Sequence, residues 1–137
     1  MATINATLSV SSADLSSSAL ALTKTMTMTT AGTITGLEFT SGLVRRKLTA
    51  VTEIDLVTVG AQMYGTPTAT VANKLYIKNL SVDSTEFITV SLTTEELGRL
   101  YAGDWMFIPW SGDGTTNIEV QPSVASSMKI EYVLVHE

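Results

Sequence analysis

Cysteine is absent from the 137 residues, which excludes disulfides, thiolate metal sites and cysteine nucleophiles. Histidine occurs once, as His136, and proline three times. Charge is scarce as well: Asp, Glu, Lys and Arg make up 15% of the chain, against about a quarter in ordinary soluble domains. Eight basic residues face thirteen acids, a net charge of −5, and such a balance argues against nucleic acid as partner because phosphate affinity comes from Lys and Arg. Every stretch of membrane-spanning length is broken by Thr, Ser or a charge, so no transmembrane helix and no membrane partner are expected. The first ten residues carry no Lys or Arg and no sustained apolar run follows, so no secretory signal is expected and the chain reads as made in the cytosol.

What is present is apolar and hydroxylic. Apolar residues account for 45% of the chain, and 22 Thr with 14 Ser supply most of the remaining polarity. A chain of this length buries roughly two-thirds of its unfolded surface when compact, so one domain with a real core is expected. Hydroxyls are easy to desolvate and give little repulsion between copies, which predicts assembly with other copies or partners.

The dominant pattern has period two. From Leu20 to Thr29, Leu20, Leu22, Lys24, Met26 and Met28 alternate with Ala21 and four threonines, the signature of a strand with one apolar face. Shorter runs of the same kind occupy Thr3–Val10, Thr33–Thr40, Leu43–Val51, Ile54–Val59, Leu75–Leu80, Phe87–Leu92, Trp105–Ile108, Asn117–Val120 and Met128–Val135, ten strands in all. Turn residues separate them: Ala31-Gly32, Ser41-Gly42, Gly65-Thr66-Pro67, Asp83-Ser84 and Ser111-Gly112-Asp113-Gly114. The pattern predicts an all-β protein, an antiparallel β-sandwich. One helical turn is expected, capped by Thr93 or Thr94, running through Glu95, Glu96 and Leu97, and ended by Gly98.

Composition shifts near residue 37. Before it stand one acid, Asp14, and one base, Lys24, while every aromatic residue comes after it. Residues 1–30 therefore read as an extended Ser/Thr-rich N-terminal arm or a pair of edge strands, and 31–137 as the sandwich domain. Arg45-Arg46-Lys47 is the sole basic cluster; on a strand, Arg45 and Lys47 share a face and Arg46 takes the other. It reads either as a solvated edge or as an anchor for an acidic protein surface. Trp105 to Trp110 is apolar on both faces, so it is expected to be covered on two sides, by the facing sheet and by a loop or a subunit contact.

Catalytic and ligand chemistry finds little support. His136 sits one residue from the end of the sequence, where a triad histidine is poorly held, and it reads as an exposed or strand-end residue. There is no Gly-x-Ser-x-Gly elbow, no phosphate-binding glycine loop, and no pair of carboxylates whose spacing singles it out as an acid and base. Ser111 to Glu119 is oxygen-rich, but Asp113, Asn117 and Glu119 fall short of a calcium loop and read as a hairpin loop. No enzyme activity, cofactor or metal is expected.

The succession Asn73-Lys74-Leu75-Tyr76-Ile77-Lys78-Asn79, Phe87-Ile88-Thr89-Val90, Arg99-Leu100-Tyr101-Ala102-Gly103-Asp104-Trp105, Pro109-Trp110 and Lys129-Ile130-Glu131-Tyr132-Val133-Leu134-Val135 resembles small β-sandwich, jelly-roll-like structural proteins of tailed bacteriophage virions. That group includes proteins that decorate or cement the capsid. The resemblance covers about Lys74 to Glu137, with a looser echo in Gly42-Leu43-Val44-Arg45-Arg46. It implies a jelly-roll-like fold and a non-enzymatic role as a cement protein in the virion capsid, assembled in the host cytoplasm. The implied partners are the major capsid protein or another virion protein, and further copies of the chain as a trimer or dimer. A tail, neck or baseplate component and a receptor- or carbohydrate-binding module are the alternatives. The residues expected to touch partners are Leu20, Leu22, Met26 and Met28 on the arm, the Arg45, Arg46 and Lys47 cluster, and Trp105 and Trp110.

Overall fold

The computed structural model describes residues 3–14, 20–29, 39–57, 73–111, 116–125 and 128–136. Among them are eleven strands: β1 (Thr3–Ser12), β2 (Leu20–Thr29), β3 (Phe39–Thr40), β4 (Val44–Leu48), β5 (Ile54–Val57), β6 (Asn73–Asn79), β7 (Phe87–Leu92), β8 (Glu95–Tyr101), β9 (Trp105–Trp110), β10 (Ile118–Pro122) and β11 (Met128–His136). All pairings are antiparallel.

From β3 onward the strands form two sheets. Sheet I has the order β3-β11-β6-β9, with β4 also paired to β11; sheet II has the order β5-β10-β7-β8. Successive strands from β4 alternate between the sheets, except for the β7–β8 hairpin. The all-β antiparallel sandwich expected from period two is therefore present.

Alternation builds the core. On β6, Leu75 and Ile77 are fully buried while Lys74, Tyr76 and Lys78 stand on the opposite face. Ile130 and Leu134 on β11, Ile88 and Val90 on β7, and Ile118 and Val120 on β10 complete one apolar cluster between the sheets. Burying each such side chain stabilises the fold by about 1.5–3 kcal/mol. The pairing of Ile118 with Val57 and then Glu119 with Asp55 leaves Leu56 as an extra residue, a bulge that lets consecutive Leu56 and Val57 both bury. Asn79 is the buried polar tie at one end: its amide donates to the Leu100 and Glu86 carbonyls at 3.1 and 3.4 Å and its oxygen accepts Ser81 N–H at 2.9 Å.

Three expectations need correction. The helical turn at Thr93–Leu97 is absent: Thr93 and Thr94 form a two-residue hairpin turn and Glu95 opens strand β8, which is additional to the ten expected. Thr93 takes φ of 54°, and Thr93 N–H to the Asn117 carbonyl at 3.0 Å with Asn117 N–H to Thr93 Oγ1 at 3.1 Å holds it there. A hydroxyl before two glutamates thus marks a turn, because β7 offers the following residues a ladder of hydrogen bonds. Of the two readings of His136 the strand-end one holds and the exposed one does not: it closes β11, buried, in register with Phe39 and Asn73, so the strand end is held on both sides. Trp110 is likewise buried, its indole N–H donating to the Thr116 carbonyl at 2.9 Å, so its ring is a core element and not a displayed anchor.

Strand boundaries otherwise move by a few residues. β7 matches Phe87–Leu92 at both ends, while β4 stops at Leu48, short of Val51. Of the Thr33–Thr40 segment, only Phe39 and Thr40 are described, and both are strand. The Ala31-Gly32 and Gly65-Thr66-Pro67 turns and residues 112–115 of the Ser111–Glu119 loop lie outside the described residues.

Candidate functional site

The N-terminal residues form a two-stranded sheet of their own. β1 and β2 pair over ten positions, from Thr3 opposite Thr29 to Ser12 opposite Leu20. This register puts Ile4 with Met28, Ala6 with Met26, Leu8 with Lys24 and Val10 with Leu22 on one face. The opposite face is a ladder of hydroxyls and one amide: Thr7 to Thr25 at 3.0 Å, Ser9 to Thr23 at 3.4 Å, and Thr27 donating to Asn5 Oδ1 at 2.8 Å. Cross-strand Thr and Ser pairs of this kind support a hairpin without any charge.

The apolar face is only partly covered. Met28 is 4% exposed and packs with Val135, Ala6 and Phe107, which seats the hairpin base on the outer face of sheet I. Trp105, Phe107 and Pro109 do point away from the core, as alternation predicts, but the cover over Phe107 comes from this hairpin rather than from a loop. Between the hairpin and sheet I lies an open cleft of about 780 Å³. Leu8, Lys24 and Met26 form one wall, and Tyr76, Lys78 and Trp105 the other. Farther out, Val10, Leu20 and Leu22 are about two-fifths exposed.

Of the residues expected to touch partners, the cleft brings together Met26 and the half-exposed Trp105, Leu20 and Leu22 lie farther along the same hairpin face, and Met28 is occupied within the chain. Trp105 stands 6.3 Å from the Tyr76 ring at a 43° tilt. Tyr76 Oη donates to Glu131 Oε1 at 3.2 Å, and burial, then the Glu131 carboxylate, push the phenol above its ordinary value. Glu131 Oε2 in turn accepts from Arg45 Nε at 3.2 Å. The basic cluster splits as alternation requires. Arg45 and Lys47 lie on the outer face of sheet I, whereas Arg46 reaches across the sandwich edge and donates to the Asp55 carbonyl at 3.1 Å.

Composition and local patterning did not show the charge distribution over the two outer faces. Among the described residues, sheet I carries Arg45, Lys47, Lys74, Lys78 and Lys129 against Glu131 alone. Sheet II carries Asp55, Glu96 and Glu119, with Glu53 beside Glu119, against Arg99. Arg99 is matched locally, 3.2 Å from Glu96 and 4.8 Å from the centre of the Phe87 ring. Burial first, then the charges of Glu53 and Asp55, hold the Glu119 carboxyl above its ordinary range. No group of three His, Asp or Glu side chains among the described residues is arranged to hold a metal ion.

No family model, no curated protein and no solved structure matches the chain.

Proposed function

We propose that this chain is a non-enzymatic structural protein of a bacteriophage virion, a capsid cement protein whose N-terminal hairpin is the docking arm. The observation that carries the reading is the amphipathic β1–β2 hairpin, seated at Met28 and otherwise leaving Leu8, Val10, Leu20, Leu22 and Met26 about two-fifths exposed. An isolated two-stranded hairpin is marginal in water, so a partner surface is its natural complement. The strand orders of the two sheets fit a jelly roll, an architecture common in viral capsid and lectin domains. A cement role requires no chemistry: a protein that binds only the assembled shell stabilises that shell by mass action. Its partners are then the major capsid protein, or another virion protein, and further copies of itself, as a trimer or dimer set by lattice symmetry.

The test is the copy number of this chain relative to the major shell protein in particles purified from its source, read by quantitative mass spectrometry. A lattice-simple ratio is the expected result. A few copies per particle moves the chain to the tail, neck or baseplate, and absence from particles overturns the virion reading.

A carbohydrate-binding role is the second reading, and Trp105 beside Tyr76 at the cleft is the observation in its favour. It predicts glycan binding that Trp105→Ala abolishes. Trp110 cannot contribute to such a platform, being buried.

A further inference from the structure

Each sheet displays one cross-strand pair of like charge. On sheet I, Lys129 lies directly opposite Lys47; on sheet II, Glu119 lies directly opposite Asp55. Like charges facing each other across a ladder destabilise it. The only ion pairs among the described residues are Arg45 with Glu131 and Arg99 with Glu96, so among those residues neither like-charge pair has a counter-ion within 4.0 Å. Asp55 Oδ1 accepts from the neutral Asn117 amide at 3.3 Å, and Arg46 bonds the Asp55 main-chain carbonyl, not its carboxylate. The two pairs stand on opposite outer faces of one sandwich, with opposite signs. Glu53 strengthens the acidic pair and Arg45 adjoins the basic one.

We propose that copies of this chain stack face to face, the Lys47–Lys129 pair of one copy seated on the Asp55–Glu119 pair of the next. Each unfavourable pair supplies the counter-charge that the other lacks, and both come from the same sequence, so a second copy is the complementary partner. The hairpin lies over β6 and β9, its base on Phe107 and Val135 and its further residues facing Tyr76, Lys78 and Trp105. The contact is therefore confined to the β4–β11 edge of sheet I, where Lys47 and Lys129 lie. The contact joins two different surfaces, so it is heterologous: it closes into a ring or continues as a stack, and a dimer does not saturate it.

The scale of the contact follows from sheet geometry. The β4–β11 ladder, two strands about 4.8 Å apart paired over five residues, projects roughly 160 Å², far below the ~800 Å² per partner of a standard stable interface. The association is therefore weak in isolation and salt-sensitive, and repetition within a larger assembly makes it effective. The inference extends the assembly reading to a second surface, and rests on that reading only in taking the chain to work in multiple copies.

The experiment is sedimentation of the full chain over a range of protein concentration up to about 1 mM, at about 50 mM and about 500 mM NaCl, where the screening length shrinks severalfold. At low salt, mass is expected to grow past the dimer with concentration, and to fall to monomer at high salt. Two double variants, Lys47→Glu with Lys129→Glu and Asp55→Lys with Glu119→Lys, are each expected to stay monomeric, and an equimolar mixture to regain association with the two in equal numbers. If either swap misfolds by circular dichroism, the neutral pair Asp55→Asn with Glu119→Gln replaces it and is expected to abolish growth. A wild-type chain that stays monomeric at low salt, or assembly that survives the substitutions, overturns the proposal. Particle copy number is read separately, so loss of the virion reading leaves this result standing, and the reverse.

Discussion

The N-terminal hairpin and the sandwich body follow the same alternation, and they differ in what becomes of the apolar face. In the body, every second residue of β6, β7, β10 and β11 meets the opposing sheet, and Leu75, Ile77, Ile88 and Ile130 are fully buried. In the hairpin the same pattern leaves Leu8, Val10, Leu20, Leu22 and Met26 about two-fifths exposed, with only Met28 buried. Period two specifies a strand and its apolar side; a second layer is what converts that side into a core. The hairpin carries its own hydrogen-bond ladder but no second layer over most of its length.

Core truncation should show the contrast at its largest. Ile77→Ala in the body is expected to cost about 2–5 kcal/mol in denaturant unfolding, because the cavity is enclosed on both sides. A loss comparable to that of an exposed site would show that the sheets are not packed as described. Met28→Ala comes next: it should cost about 2 kcal/mol locally, detaching the hairpin and exposing β1 and β2 amides to hydrogen exchange, while the melting of the body stays put. Loss of body stability of the same size would instead make hairpin and sandwich one cooperative unit.

A smaller effect belongs to Glu119. Its folded-state pKa is raised, so the stability associated with the protonated form is present at low pH and is lost as pH rises through the folded value. Glu119→Gln should therefore raise Tm by about 1–2 °C at pH 7 and leave it unchanged at pH 3. A decrease at pH 7 would mean that the carboxylate is stabilised rather than repelled. Leu22→Ser should be the smallest of all for stability, within about 0.5 kcal/mol of wild type, and should nonetheless abolish co-sedimentation with shells. Retained shell binding would remove the hairpin face from the docking reading.

Much of this division was legible before the fold was known. The alternation at Leu20–Met28 identifies the apolar face of β2 residue by residue, because a strand's side chains have a fixed two-residue period. The same rule separates Arg45 and Lys47 from Arg46. It cannot decide between Trp105 and Trp110, since both faces of β9 are apolar and only the position of sheet II selects Trp110 for burial. Nor can it show the Lys47–Lys129 and Asp55–Glu119 pairs, whose partners are remote in sequence and brought together by register. Strand β8 was missed for a local reason: Thr93-Thr94-Glu95-Glu96 satisfies the capping preferences of a helix, and tertiary pairing with β7 overrides them.

The hydroxyl face of the hairpin has one further consequence. Threonine and serine have no titration curve in the physiological range and attract no counter-ion cloud, and Lys24 is the lone ionised side chain within β1 and β2. On the docking reading, the hairpin should keep its shape and its grip while acidity or ionic strength changes around it, whereas contacts made through the charged sheet faces would respond to both. An assembly using the two together has one fastening that ignores its medium and another that reads it.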